Sequence, residues 1–237
     1  MSGNEMKVAI ITGGSKGIGA CLVSAYRGRG WGVVASARTI KPSEDANIVT
    51  VEGDVADPAA DDRIVSVALE HFGRIDTLIN NAGIFISKPF TEYTDEDYSS
   101  IVSVNVTGFF RITQRVVAEM LKGSGGHIVN ITTTLADYAD ADVPSVLVSL
   151  TKGGLASATK SLAIEYATRG IRVNAVSPGV IQTSMNAADS YDADAALEPL
   201  GRVGQISDIV DGILFLESSP FITGEILHID GGQIAGH

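Results

Sequence analysis

The chain is poor in cysteine, histidine and positive charge, and it has no long apolar run. A single cysteine, Cys21, excludes an intrachain disulfide framework; its place early in the first helical stretch predicts a buried structural thiol. The four histidines (His71, His127, His228 and His237) fall at no metal-ligand spacing, so no metal site is expected. Seventeen Lys and Arg against 28 Asp and Glu give a net charge of −11, which argues against nucleic acid as the main partner. No segment is apolar enough for long enough to span a bilayer, and residues 1–7 lack a signal-peptide core. A cytoplasmic protein with no membrane partner is expected. What remains is 237 residues, 45% hydrophobic and 19% charged, enough for a substantial core. No repeat, linker or composition break divides them, so residues 1–237 read as one domain.

The residues that are present organise around Thr12-Gly13-Gly14-Ser15-Lys16-Gly17-Ile18-Gly19. The apolar run 8–11 before this stretch reads as a buried strand. Ala20, Leu22, Val23 and Tyr26 after it follow a helical rhythm. A glycine-rich strand-to-helix turn lets backbone approach a pyrophosphate, and the helix start favours the anion. The alternative is a turn that only packs helix on strand. Further strands are predicted at 31–36, 47–52, 75–79, 127–131, 173–176 and 225–229. Helical stretches are predicted at 58–72, 95–121 with a break near Gly108, 144–169 and 208–217. Strands that alternate with helices and read as continuous apolar runs imply a seven-stranded parallel sheet covered on both faces. Ligands in such sheets bind beyond the carboxyl ends of the strands. Small and polar residues recur there: Ala37-Arg38, Asp54-Val55, Asn81-Ala82-Gly83, 132–134 and 177–179. Residues 184–204 are small, acidic and aperiodic, as in a substrate loop or lid.

Together these stretches resemble the short-chain dehydrogenase/reductase family over nearly the whole chain. The resemblance is carried by the 12–19 turn, Asn-Asn-Ala-Gly at 80–83, Asn105, Pro178-Gly179, and the ending 222–232. It implies a Rossmann-type doubly wound α/β fold, a nicotinamide cofactor and a homo-oligomer, dimer or tetramer. Carried over, Gly13, Ser15, Gly17, Ile18 and Gly19 would line the pyrophosphate. Asp54 and Val55 would meet the adenine, and Asn81, Ala82 and Gly83 the adenosine ribose and central cofactor. Pro178, Gly179, Val180 and Thr183 would border the nicotinamide, and Lys152 would bind its ribose. An acidic residue after the second strand would select NAD through the ribose 2′-hydroxyl. Ala37 stands there instead, followed by Arg38, with Lys16 in the glycine turn, so NADP(H) is expected over NAD(H). Either cation can equally be a solvated surface charge.

Family members transfer hydride between nicotinamide and a carbonyl or alcohol. A tyrosine supplies the proton, a lysine four residues later lowers its pKa, and a serine after the fifth strand holds the oxygen. Positions i and i+4 share a helix face, which explains the spacing. Here Asn105 and Lys152 match, Thr133 stands for the serine, and Val148 occupies the tyrosine position. Valine has no proton to give. Tyr138, Ser145 or a water held by Lys152 and Thr133 are candidate substitutes, although Ser145 also suits a helix cap after Pro144. The expected function is therefore an NADP(H)-dependent oxidoreductase acting on a small carbonyl or alcohol through a non-standard site. The alternative is a non-catalytic NADP(H)-binding protein. Asp137, Asp140 and Asp142, with Asp189, Asp192 and Asp194, would give the cleft an electronegative mouth if they line it rather than simply face solvent.

Overall fold

The structure, a computed structural model, describes residues 6–183 and 198–236. Seven strands form one parallel sheet in the order β3-β2-β1-β4-β5-β6-β7. They are β1 (Val8–Thr12), β2 (Gly32–Ala37), β3 (Ile48–Glu52), β4 (Thr77–Asn80), β5 (Gly126–Ile131), β6 (Ile171–Pro178) and β7 (Ile226–Ile229). The helices are α1 (Gly17–Gly28), α2 (Ala60–Phe72), α3 (Asp95–Val102), α4 (Phe109–Met120), α5 (Val146–Tyr166) and α6 (Ile206–Ser218). Among the described residues no helix is long and apolar enough to cross a membrane.

Alternate strand residues feed two cores. Ile10, Val34, Leu78, Ile128 and Val173 pack beneath α2, α4 and α5. Ala9, Ile11, Val33, Val129 and Val176 pack beneath α1 and α6. Burying each such side chain is worth about 1.5–3 kcal/mol, which is why these short runs hold as strands. The chain leaves β1 outward to β2 and β3, then crosses back to β4 on the other side of β1. This reversal opens a crevice above β1 and β4, at the carboxyl ends of the strands.

Two sequence expectations are corrected and a third is borne out and made precise. Cys21 is exposed, because α1 turns Gly19, Leu22 and Tyr26 inward and leaves position 21 on the outer face. The helix expected from 144 begins at Val146. The Pro144 carbonyl instead accepts Lys88 N–H at 3.0 Å and Ser87 Oγ at 2.9 Å. Ser145 stands at the N-cap, but its side chain makes no cap hydrogen bond. The break expected near Gly108 is a π-helical turn, Ser103–Gly108, between α3 and α4. A Cβ at Gly108 would come within 2.9 Å of Val55 Cγ2, so this turn lies tight against the loop after β3.

At the opposite end of the sheet, Glu217 Oε2 accepts hydrogen bonds from Tyr26 Oη at 3.0 Å, Thr77 Oγ1 at 2.9 Å and His127 Nδ1 at 3.0 Å. Asn174 Nδ2 donates to His127 Nε2 at 3.1 Å, while its Oδ1 accepts the Glu225 N–H, so the imidazole is held neutral. Burial lowers the His127 pKa, against the pull of Glu217. Burial pushes Glu217 upward, but its hydrogen bonds prevail and hold it below the ordinary value. Below about pH 6.5 the unfolded chain takes up a proton that folded His127 refuses, so stability is full above that pH and declines below it. Thermal melts should therefore show Tm falling from pH 7 to pH 5. His127→Gln should flatten that part of the profile, although the variant starts less stable.

Candidate functional site

The crevice is built from the strand ends. Thr12 Oγ1 donates to the Ile79 carbonyl at 3.2 Å and accepts N–H bonds from Asn81 at 3.1 Å and Ala82 at 3.0 Å. Asn81 Nδ2 returns hydrogen bonds to the Thr12 and Gly13 carbonyls at 2.9 and 3.1 Å. Asn81 thus spends its side-chain amide N–H groups locking the end of β4 to the glycine turn. Gly13 has φ +68°, and a Cβ there would lie 2.8 Å from Asn81 Nδ2. Both the left-handed backbone and the close approach of Asn81 require glycine. Ser15 and Lys16 are exposed, and the Ile18 side chain packs into the α1 core. Lys16 is the extended N-cap of α1 and supplies no capping side chain, so no side chain of the cap competes for the first-turn N–H groups.

The adenosine side lies where the ends of β2 and β3 meet. Gly14 N–H donates to the Ser36 carbonyl at 2.9 Å, and Gly53 N–H to the Ala37 carbonyl at 2.9 Å. Arg38 is exposed, and neither it nor Lys16 forms an ion pair among the described residues. Asp54 Oδ1 accepts the Ala56 N–H at 3.0 Å. Ser36 Oγ is buried at this corner without a hydrogen-bond partner. A glycine cradle, an uncapped helix start, unpaired cations and an orphan hydroxyl fit a dinucleotide carrying a 2′-phosphate.

At the centre, the π turn carries Asn105, which is 1% exposed. Its Oδ1 accepts the Ile84 N–H at 2.9 Å, and its Nδ2 donates to the Ile84 carbonyl at 3.1 Å and Thr151 Oγ1 at 3.3 Å. Lys152 comes to the same place: a Cβ on Gly83 would lie 3.1 Å from Lys152 Nζ and 3.3 Å from Asn105 Oδ1. Lys152 is buried, its Nζ donates to the Ile131 carbonyl at 2.7 Å, and burial lowers its pKa to about 8. Thr133 caps the short turn Thr134–Ala136, its Oγ1 accepting the Leu135 N–H at 3.3 Å. Ser149 Oγ fastens that turn from α5 by donating to the Leu135 carbonyl at 2.7 Å. Val148 is 2% exposed and packs with Ile101 and Leu147, against Ile84, Tyr93 and Val102. Tyr138 is half-buried just past the Thr133 turn, and Ser145 is buried at the start of α5. Asp137 meets His228 Nε2 at 3.3 Å, and Asp140 accepts the Asp142 N–H, so this acidic loop is partly occupied with local bonds.

On the far side, Pro178 ends β6 and the Gly179 N–H donates to the Ile229 carbonyl at 3.1 Å. Val180 N–H is taken by Glu198 Oε1 at 3.0 Å, and its carbonyl by the Gly204 N–H at 2.8 Å. Glu198 is 3% exposed, and sequence reading missed it because it falls in the aperiodic 184–204 stretch. Thr183 is half-buried at the edge of that stretch. Residues 184–197, with Asp189, Asp192 and Asp194, lie outside the described residues. Thr12 was also missed as a site residue, although it opens the glycine turn.

Comparison with known proteins adds independent findings. The family model described as enoyl-(acyl carrier protein) reductase matches residues 13–233. The 3-oxoacyl-[acyl-carrier-protein] reductase FabG of Escherichia coli is 34% identical over 240 residues, covering 97% of this chain and 98% of the relative. An uncharacterized oxidoreductase of Methylorubrum extorquens is 36% identical over 250 residues, covering 98% and 99%. Among solved structures, ElxO with NADP bound matches with a TM-score of 0.91 at 31% identity, covering 97% of this chain and 99% of that one. A tyrosine-to-phenylalanine variant of ElxO with NADPH bound matches with a TM-score of 0.90, also at 31% identity and with the same coverage.

Proposed function

The chain belongs to the short-chain dehydrogenase/reductase family, and from that premise we propose that it is an NADP(H)-dependent oxidoreductase for a small carbonyl or alcohol, working without the family's tyrosine. The observation that carries this reading is the buried Lys152 ammonium beside Gly83 and Asn105, held at the Ile131 carbonyl. Nothing in the fold needs a cation there: the bond to Ile131 alone does not repay desolvating an ammonium. A buried lysine with a pKa near 8, in a crevice, is the profile of a functional group.

When bound, the nicotinamide would supply or accept the hydride. The glycine turn holds the pyrophosphate, and Lys16 and Arg38 attract the 2′-phosphate. Pro178, Gly179, Val180 and Thr183 would border the nicotinamide, and Asn105 ties the Gly83–Ile84 segment to Thr151 beside Lys152. Lys152 orients the nicotinamide ribose and carries a proton at Nζ that it can deliver near neutral pH, directly or through water. Thr133 Oγ1 holds the substrate oxygen. Val148, packed against Ile101 and Leu147, takes no part in proton transfer. Strands from residue 8 to residue 229 share one sheet, which supports a single nucleotide-binding domain. Exposed Phe110 on α4, with Val146, Leu150 and Ile164 on α5, supports self-association into a dimer or tetramer.

The binding half of the proposal is tested by fluorescence titration with NADPH and NADH. NADPH should bind at least about tenfold tighter, the worth of one good charge-assisted contact to the 2′-phosphate. Binding of neither nucleotide would overturn the reading. Binding without turnover of any carbonyl would favour the second reading, a nucleotide-binding protein without catalysis, which the packed Val148 supports.

A further inference from the structure

Gly53, the first residue after β3, has no conformational reason to be glycine, since its φ lies outside the left-handed region. Its missing side chain makes room for a neighbour instead. A Cβ there would fall on Arg63 Nη2 and lie 3.3 Å from Arg63 Cζ, so the Arg63 guanidinium, reaching over from α2, rests on the Gly53 backbone. Gly53 is hydrogen-bonded to Ala37, the residue before Arg38, and is followed directly by Asp54 and Val55. The guanidinium therefore stands at the corner where the adenosine end of a dinucleotide is expected.

Arg63 is exposed and makes no ion pair or side-chain hydrogen bond among the described residues. Asp62 pairs with Arg115 instead. Asp54 and Asp57 spend their Oδ1 atoms on the N–H groups of Ala56 and Ala59. The exposed planar head thus lies against the Gly53 backbone with its donors unspent, in a chain of net charge −11. Its planar fork of donors suits a phosphate.

We propose that Arg63, seated on Gly53, is a third cationic contact at this corner and, with Lys16 and Arg38, sets the preference for an adenosine 2′-phosphate over a 2′-hydroxyl. The proposal rests on the nucleotide reading above. The test titrates the full chain and its variants with NADPH, NADH, 2′,5′-ADP and 5′-AMP at low salt. Arg63→Ala should weaken NADPH and 2′,5′-ADP roughly tenfold while changing NADH and 5′-AMP less than about twofold, as expected for one charge-assisted phosphate contact. Gly53→Ala keeps the charge but displaces the guanidinium. It should weaken NADPH in the same direction and add nothing in the Arg63→Ala background. Equal losses for both nucleotides would make Arg63 a packing residue and overturn the proposal, as would an unchanged NADPH-to-NADH ratio in Arg63→Ala. A wild-type protein that binds neither nucleotide, or prefers NADH, overturns the cofactor reading itself, and this proposal with it.

Discussion

Val148→Tyr is expected to raise carbonyl reduction by about 10²- to 10⁴-fold, the usual worth of a positioned general acid. Position 148 lies one helical turn before Lys152, so a phenol there shares its helix face. A protonated Lys152 beside the phenol would draw its pKa down towards neutrality, as an opposite charge does. The substitution has a cost. Val148 is 2% exposed and packed against Ile101, Leu147, Ile84, Tyr93 and Val102. Forcing a larger side chain into a filled site costs about 1–3 kcal/mol. A gain of even 10² corresponds to about 2.7 kcal/mol of transition-state stabilisation. The stability loss and the rate gain are read separately, by melting temperature and by kcat for NADPH-dependent reduction. No gain in a variant that folds and binds NADPH would mean that the pocket around Val148 no longer opens to the substrate.

The second large effect is at Lys152. Lys152→Met should abolish measurable reduction, a loss on the order of 10²–10⁴, because it removes both the proton and the ribose contact. The pH dependence identifies the role. Reduction consumes the ammonium proton, so its rate should be flat below pH 8 and fall as pH rises through about 8. Oxidation of the alcohol needs the neutral amine and should rise over the same interval. Lys152→Arg keeps the cation but cannot release a proton in this range, so the inflection should vanish and the rate drop. An inflection that survives Lys152→Arg would assign the proton to another group, with Tyr138→Phe the next variant to measure.

The fold was legible because its inner strands are buried on both faces. Val8–Thr12 reads as an apolar run and is buried throughout, and Thr77–Asn80, with Leu78 and Ile79 at its centre, is buried throughout as well. Boundaries moved where a cap or tertiary bond decided them, as when α5 waited for Val146. Cys21 was misjudged because one residue of helical phase separates the inner face from the outer. The crevice was legible as small and polar residues at strand ends, since topology alone brings those together. Contacts made across the fold left no such mark. Glu198 reaches Val180 from a stretch without periodicity, and Arg63 reaches Gly53 from another element. Each depends on an approach in space that neither local sequence announces. The tyrosine position was visible by counting from Lys152, but the packing of Val148 against α3 was not.

Hydride transfer by this chain, beyond holding the nucleotide, is what most needs testing. The direct measurement is label transfer. The protein is incubated with NADPH deuterated at the nicotinamide C4 and a panel of carbonyls headed by 3-oxoacyl thioesters, and the products are read by mass spectrometry. One deuterium is expected in the carbinol product, lost in Lys152→Met. Saturation with NADPH and no deuterium in any product would contradict hydride transfer, and would make this chain a nucleotide-binding protein built on an oxidoreductase fold.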